Sequence, residues 1–211
     1  MWPMMIAINS QDLSAKDAYK LISGTVIPRP IAWITTYNRK KDVVNLAPFS
    51  FFSGVAGKAP LVSVSVLRKD NGQMKDTARN LLDTKEGVVH VVSEGLVHQM
   101  NQTAASLDAD ETELANTNLE IVASKFVAVP GLQVAKVRFE VQVYQYVPIK
   151  DEHGQIITDM FILKVVEMYF DETVLNQDNH YIDAKALKPV ARLAGPQYAN
   201  LGETYRIMRP K

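Results

Sequence analysis

The chain has no cysteine among its 211 residues. Disulfides, thiolate metal centres and cysteine nucleophiles are therefore excluded. Nor does it carry excess charge: 23 Lys and Arg balance 23 Asp and Glu. That balance argues against an electrostatically driven nucleic-acid or membrane binder, and it leaves no net repulsion against self-association. No apolar run approaches the ~20 residues of a membrane span. Residues 1–8 are apolar but lack a basic flank and a cleavage-like end, so no signal peptide is read and a cytoplasmic location is expected. Glycine signatures are also missing. Without G-x-G-x-x-G or G-x-x-x-x-G-K-[ST], neither a Rossmann site nor a P-loop is supported. G-x-S-x-G and H-E-x-x-H are absent too. Histidine is scarce: His90, His98, His153 and His180 lie far apart with no metal-ligand spacing, so structural or surface roles are expected and no metal site is read.

What is present is a series of strand patterns. The β-rich run at 28–37, the polar turn NRKKD and the return through VVNLAPFSFF predict a hairpin. LVSVSVL at 61–67 alternates apolar residues with serine, predicting a strand with one polar face. Asp76 is placed to cap a helix over DTARNLLDTK. GVVHVVSE at 87–94 reads as a short buried strand, EGLVHQMNQTAAS at 94–106 as helical, and the acidic DADETEL as a solvated turn or short helix. In the run at 135–149, alternation puts Val137, Phe139, Val141, Val143 and Gln145 on one face and Arg138, Glu140, Gln142 and Tyr144 on the other. MFILKVVEMYF at 160–170 is another long strand. No linker, repeat or low-complexity segment divides the chain. A mainly β, closed antiparallel barrel with peripheral helices, one domain over residues 1–211 with a C-terminal extension, is the expected fold.

Small polar side chains gather on adjoining elements. Thr35 and Thr36 end one strand, Asn45 and Ser50 bracket a proline turn, and Ser63 and Ser65 alternate on the next strand. Arg68 and Lys69 follow, then Lys75, Thr77 and Arg79 at a helix start. A flat cofactor needs backbone amides and short hydroxyls beside an apolar wall. A phosphate needs a helix N-terminus, hydroxyls and a cation. The order of residues suits both. It equally suits an ordinary strand surface followed by a helix cap. NLAPFSFFSG, with two adjacent phenylalanines beside a proline and hydroxyls, is either an irregular piece of core or a shelf for something flat.

RPIAWITT, NLAPFSFFSG, PLVSVSV and KDTARNLL, with EGLVHQMNQT and the tail LKPVARLAGPQYA, resemble the flavin reductase-like family over nearly the whole chain. The resemblance implies an FMN-binding split barrel, Greek-key-like and homodimeric, with FMN near the dimer interface. It implies Thr35 and Thr36, with the backbone of Asn45, Ala47 and Ser50, around the flavin ring. Ser63, Ser65, Arg68 and Thr77 would hold the ribityl chain and phosphate, with FMN preferred over FAD and riboflavin. The Asp76 carboxylate is expected to point away from a phosphate. Hydride would come from NADH or NADPH in a flavin reductase, whereas an FMN carrier or redox-partner protein would lack that turnover. No catalytic acid or base is nominated.

Overall fold

The computed structural model describes residues 4–105, 107–108 and 111–210. The first three residues of the apolar start, and Ser106, Ala109 and Asp110 of the helical and acidic stretches, lie outside them. The strands are β1 (Ala32–Asn38), β2 (Val43–Phe49), β3 (Phe52–Gly54), β4 (Leu61–Leu67), β5 (Glu86–Val91), β6 (Ile121–Val122), β7 (Gly131–Leu132), β8 (Val137–Lys150), β9 (Ile156–Phe170), β10 (Val190–Arg192) and β11 (Tyr198–Asn200). The helices are α1 (Ala15–Thr25), α2 (Asp76–Thr84), α3 (Val97–Gln102) and the single turn α4 (Ala184–Leu187).

Seven strands form one antiparallel sheet in the order β2-β1-β5-β8-β9-β4-β3. Its two edges, β2 and β3, are consecutive in the chain. Laid flat, six strand spacings of about 4.8 Å would hold those edges about 29 Å apart. The connection from Phe49 to Phe52 spans at most about 10 Å. The sheet must therefore curl until its edges meet. The Ser65 amide donates to the Phe51 carbonyl at 2.9 Å, carrying the β3–β4 pairing one residue into the elbow. The barrel is thus split: its closure is a turn of chain, with no ladder between β2 and β3.

Alternation fills the inside of the curl. Val64 and Val66 of β4 are fully buried, while Ser63 and Ser65 face outward. Ile34, Val89, Val141, Phe161 and Leu163 join them, and α2 closes one end with Ala78 and Leu81. A second core lies outside the sheet, where Trp33, Leu46, Val92 and Leu132 pack with Met100 of α3. Trp33 Nε1 donates to Thr103 Oγ1 at 2.8 Å and fixes the end of α3.

Two expectations change. Asp76 is not the cap of α2: the N-cap is Lys75, with no side-chain bond to the first turn, and Asp76 is already helical. The faces of β8 also differ from simple alternation. The pairing slips between Val143 and Gln145, leaving Tyr144 as an extra exposed residue, so Gln145 is exposed and Tyr146 packs against the core in its place. Glu140, expected on a polar face, is fully buried because the chain at 124–129 covers that side. Its carboxylate accepts the amides of Lys125 at 2.8 Å and Phe126 at 2.6 Å and the Tyr169 hydroxyl at 2.6 Å. Burial pushes this carboxyl up, but those donors outweigh burial and hold it below the usual range. The same contact raises the Tyr169 hydroxyl to about 12.

His90 sits between the two layers as a structural group. Nδ1 lies 2.8 Å from the Trp33 carbonyl and Nε2 accepts the Leu132 amide at 2.9 Å, so the ring is neutral with its proton on Nδ1. A Cβ on Gly131 would come within 3.4 Å of Nε2 and 3.2 Å of Arg138 Cδ, so any side chain here would crowd the ring and the arginine. Burial lowers the His90 pKa from 6.5 to about 4. The unfolded chain then takes the proton first as pH falls. The contribution is complete above pH 6.5 and is lost progressively down to about pH 4. Urea unfolding across that interval should show a loss of roughly 3 kcal/mol from this group, since each unit is worth about 1.4 kcal/mol. His90→Gln should lack that share of the slope; identical slopes would remove His90 as its source.

Candidate functional site

The elbow that closes the barrel also opens a cleft. Pro48 and Phe49 border three adjoining pockets. The first, about 150 Å³, lies between the outer part of β2, the start of α2 and the chain after α3, with Asn45, Ala47, Lys75, Thr77, Asn80 and Glu113 in its wall. A second of about 470 Å³ opens beyond Ser50, toward α1 and the β10–β11 hairpin. The third, about 150 Å³, joins Ser50 and Phe51 to Ser65 and Lys75. Lys75 links the first and third, and Ser50 the second and third. One continuous groove runs along residues 45–51.

The groove's walls follow from local structure. As an edge strand, β2 presents alternate backbone groups outward. Of these, the Leu46 amide donates to Glu113 Oε2 at 2.8 Å and the Val44 carbonyl accepts from Thr112 Oγ1 at 2.6 Å. Pro48 has no N–H to offer. By the same alternation Asn45 and Ala47 turn their amides toward β1, so what they bring to the groove is side chains. The Ser50 hydroxyl accepts from Arg29 Nε at 3.3 Å, which leaves its own hydrogen to donate. The two adjacent phenylalanines divide the labour. Phe49 is buried in the barrel core with Phe52 against it, whereas Phe51 turns the other way, edge-on to Tyr19 at 6.2 Å.

Charge is graded along the groove. Asp76, Asp108, Glu111 and Glu113 line the first pocket. Burial pushes the Glu113 carboxyl up. Asp76, expected to point away, borders this pocket and is held by Arg79 and by Lys69 at 3.6 Å. With Asp76 so engaged, Lys75 makes no salt bridge among the described residues. Burial, reinforced by nearby Lys69, lowers its pKa. Beside it the amides of Asp76, Thr77 and Ala78 begin α2 without a side-chain cap, and the Thr77 hydroxyl has no partner among the described residues. Free amides, a hydroxyl and an unpaired cation converge there. An anion such as a phosphate matches that donor set.

Of the residues expected at a flavin, Asn45, Ala47, Ser50, Ser65 and Thr77 border the groove. Thr36 is one layer behind it, its oxygen accepting from Asn80 Nδ2 at 3.1 Å. Thr35 does not reach it: the side chain is fully buried on the other face of β1 and donates to the Pro130 carbonyl at 2.7 Å. Ser63 lies apart on β4, opposite Ser53. Arg68 is also absent from the groove wall. Its guanidinium is forked onto the fully buried Asp159, with Nε to Oδ2 at 3.1 Å and Nη2 to Oδ1 at 3.0 Å, and Tyr146 donates to the same carboxylate at 2.8 Å. Sequence reasoning did not find Glu113, Asn80 or Arg29, although their segments read as an acidic turn, a helix and a strand, because only the tertiary fold brings these side chains to the groove.

The flavin reductase like domain pattern matches residues 23–186. An uncharacterised Bacillus subtilis protein, YwrF, is 47% identical over 98% of this chain and 100% of its own length. Nitrilotriacetate monooxygenase component B from Bacillus cereus superposes with a TM-score of 0.93 at 38% identity, covering 98% of this chain and 100% of that one. The 2-nitrobenzoate 2-nitroreductase NbaA of Pseudomonas fluorescens gives 0.86 at 25% identity, over 97% and 96%.

Removing Arg68 would leave Asp159 as a buried carboxylate without its cation. Arg68→Ala should therefore destabilise the fold by roughly 3–5 kcal/mol in urea unfolding. A loss below about 1 kcal/mol would mean that the pair is solvated as a surface bridge.

Proposed function

The chain belongs to the flavin reductase-like family, and from that membership we propose that it binds FMN in the elbow cleft. We read it as an NADH- or NADPH-dependent oxidoreductase, in its simplest form a flavin reductase. One observation carries the reading: the uncapped start of α2, and a Thr77 hydroxyl and a Lys75 without partners among the described residues, converge at a groove with an apolar wall. A phosphate monoester near −2 answers all three at once. Riboflavin has no phosphate, and FAD would bring a second phosphate and an adenosine to a site that offers one helix start and, among the described residues, one lysine outside a salt bridge.

Bound FMN supplies hydride acceptance and donation; the protein supplies placement and field. Lys75, Thr77 and the first amides of α2 hold the phosphate. Ser65 and Ser50 present hydroxyls along the polar chain. Pro48 and Phe49 give the ring an apolar wall, and Asn80, bonded to Thr36, borders it from α2. The Ser50 hydroxyl, free to donate, is placed to stabilise negative charge at a ring edge.

Purified protein should carry or take up FMN, and anaerobic addition of NADH or NADPH should bleach its visible bands. Lys75→Met should weaken FMN about tenfold or more while leaving riboflavin nearly unchanged, because a charge-assisted bond to phosphate is lost. Binding without bleaching by either donor would make the chain an FMN carrier. Equal losses for FMN and riboflavin would remove Lys75 from the phosphate.

The proposed assembly is a homodimer, with the chain as one domain in the cytoplasm. Its support is apolar surface at both ends: Met4, Met5 and Ile6, and Tyr205, Ile207 and Met208, are exposed on arms without secondary structure. A paired copy would cover them and shield the split edges. Light scattering should give twice the 23.5 kDa chain mass; a monomer with fully bound FMN would contradict it.

A further inference from the structure

We propose that the pocket of about 470 Å³ beyond Ser50 is a subsite for a flat organic anion bearing a carboxylate, held by Arg192 and Arg29. This rests on reading the adjoining cleft as the flavin site.

The pocket's wall contains two guanidinium groups and no carboxylate. Neither arginine makes a salt bridge among the described residues. Arg29 is only 6% exposed. Its N–H groups reach the Val26 carbonyl at 2.7 Å, the Leu193 carbonyl at 2.9 Å, the Ser23 carbonyl and Ser50 Oγ. These bonds satisfy donors and tie the end of α1 to the chain after β10. They do not neutralise the charge, and a buried cation without a counter-charge is costly. Arg192 lies over the Tyr198 ring, 4.6 Å from its centroid, and donates to the Tyr198 hydroxyl and the Gly195 carbonyl. Nε is left without a protein acceptor among the described residues.

The rest of the wall sets the shape of the guest. Ile31, Pro48, Phe49 and Met100 are apolar, and Tyr198 gives an aromatic side. A planar ring fits against such a surface, with its charged end toward the arginines. Because Pro48, Phe49 and Ser50 border both spaces, a guest there lies beside the cleft without filling it. A purely structural Arg29 explains its carbonyl bonds. It does not explain the second arginine or the missing acid.

The probes are benzoate and benzamide, which share a shape and differ in charge. FMN-loaded protein is titrated with each while flavin absorption is read, and flavin-free protein is titrated by calorimetry. Benzoate should bind both forms about tenfold or more tighter than benzamide, more weakly at high salt, and should leave FMN affinity unchanged. Arg192→Gln should abolish that preference and Arg192→Lys keep part of it. Should these variants fail to fold, the benzoate–benzamide ratio on the unaltered protein still decides. Equal affinities, no binding of either probe, or competition with FMN would overturn the proposal; competition would assign the arginines to the flavin itself. A protein that takes up no FMN but still prefers benzoate would sink the flavin reading and retain the pocket.

Discussion

Everything that bears on binding depends on one short crossing, where the chain passes from one edge of the sheet to the other between Phe49 and Phe52. A ladder between β2 and β3 would have paired those edges and sealed the barrel. The crossing leaves a seam spanned by the turn of chain itself. The same turn throws Phe49 into the core and Phe51 out toward α1, which holds the groove open on an apolar strip. Pro48 sits at the edge where an N–H would invite another strand, and its absence keeps the edge from being extended.

The seam also fixes where polar groups go. α2 enters the open end of the curl, so its first turn lies beside the strip while Ala78 and Leu81 anchor it. An uncapped helix start usually faces water or a ligand. Here Asp76, the natural competitor for an anion, is engaged by Lys69 and Arg79, which leaves Lys75 as the local cation without an ion pair among the described residues. Three buried polar groups elsewhere are satisfied within the protein: Glu140 by two amides and a tyrosine, His90 by one carbonyl and one amide, Asp159 by Arg68 and Tyr146. The contrast between those closed networks and the open first turn of α2 is what marks the cleft.

Much of this was legible in the sequence, for reasons of period. LVSVSVL alternates cleanly enough to declare a strand, MFILKVVEMYF declares one as a long β-rich apolar run, and the polar turn at 38–42 declares the first hairpin. KDTARNLL announces α2, although the capping residue was misplaced by one, because an aspartate at a helix start looks the same at N-cap and N1. What alternation does not reveal is pairing irregularity and long-range covering. The extra residue at Tyr144 moves Tyr146 into the place expected for Gln145, and a distant loop buries Glu140. The site was legible to a similar degree. Local patterns and the family resemblance named Asn45, Ala47, Ser50, Ser65 and Thr77, all of which border the groove. Arg68 and Thr35 looked equally suitable, but their partners, Asp159 and the Pro130 carbonyl, lie 91 and 95 residues away. No local pattern announces such a partner.

The central claim is that the start of α2 and the elbow hold one phosphate-bearing flavin. Backbone hydrogen exchange with and without FMN tests it most directly. The account predicts new protection concentrated at the amides of Asp76, Thr77 and Ala78 and at residues 50–52, with β8 and β9 unchanged. Saturating FMN that leaves the first turn of α2 exchanging as before, or that protects a different surface, would contradict it.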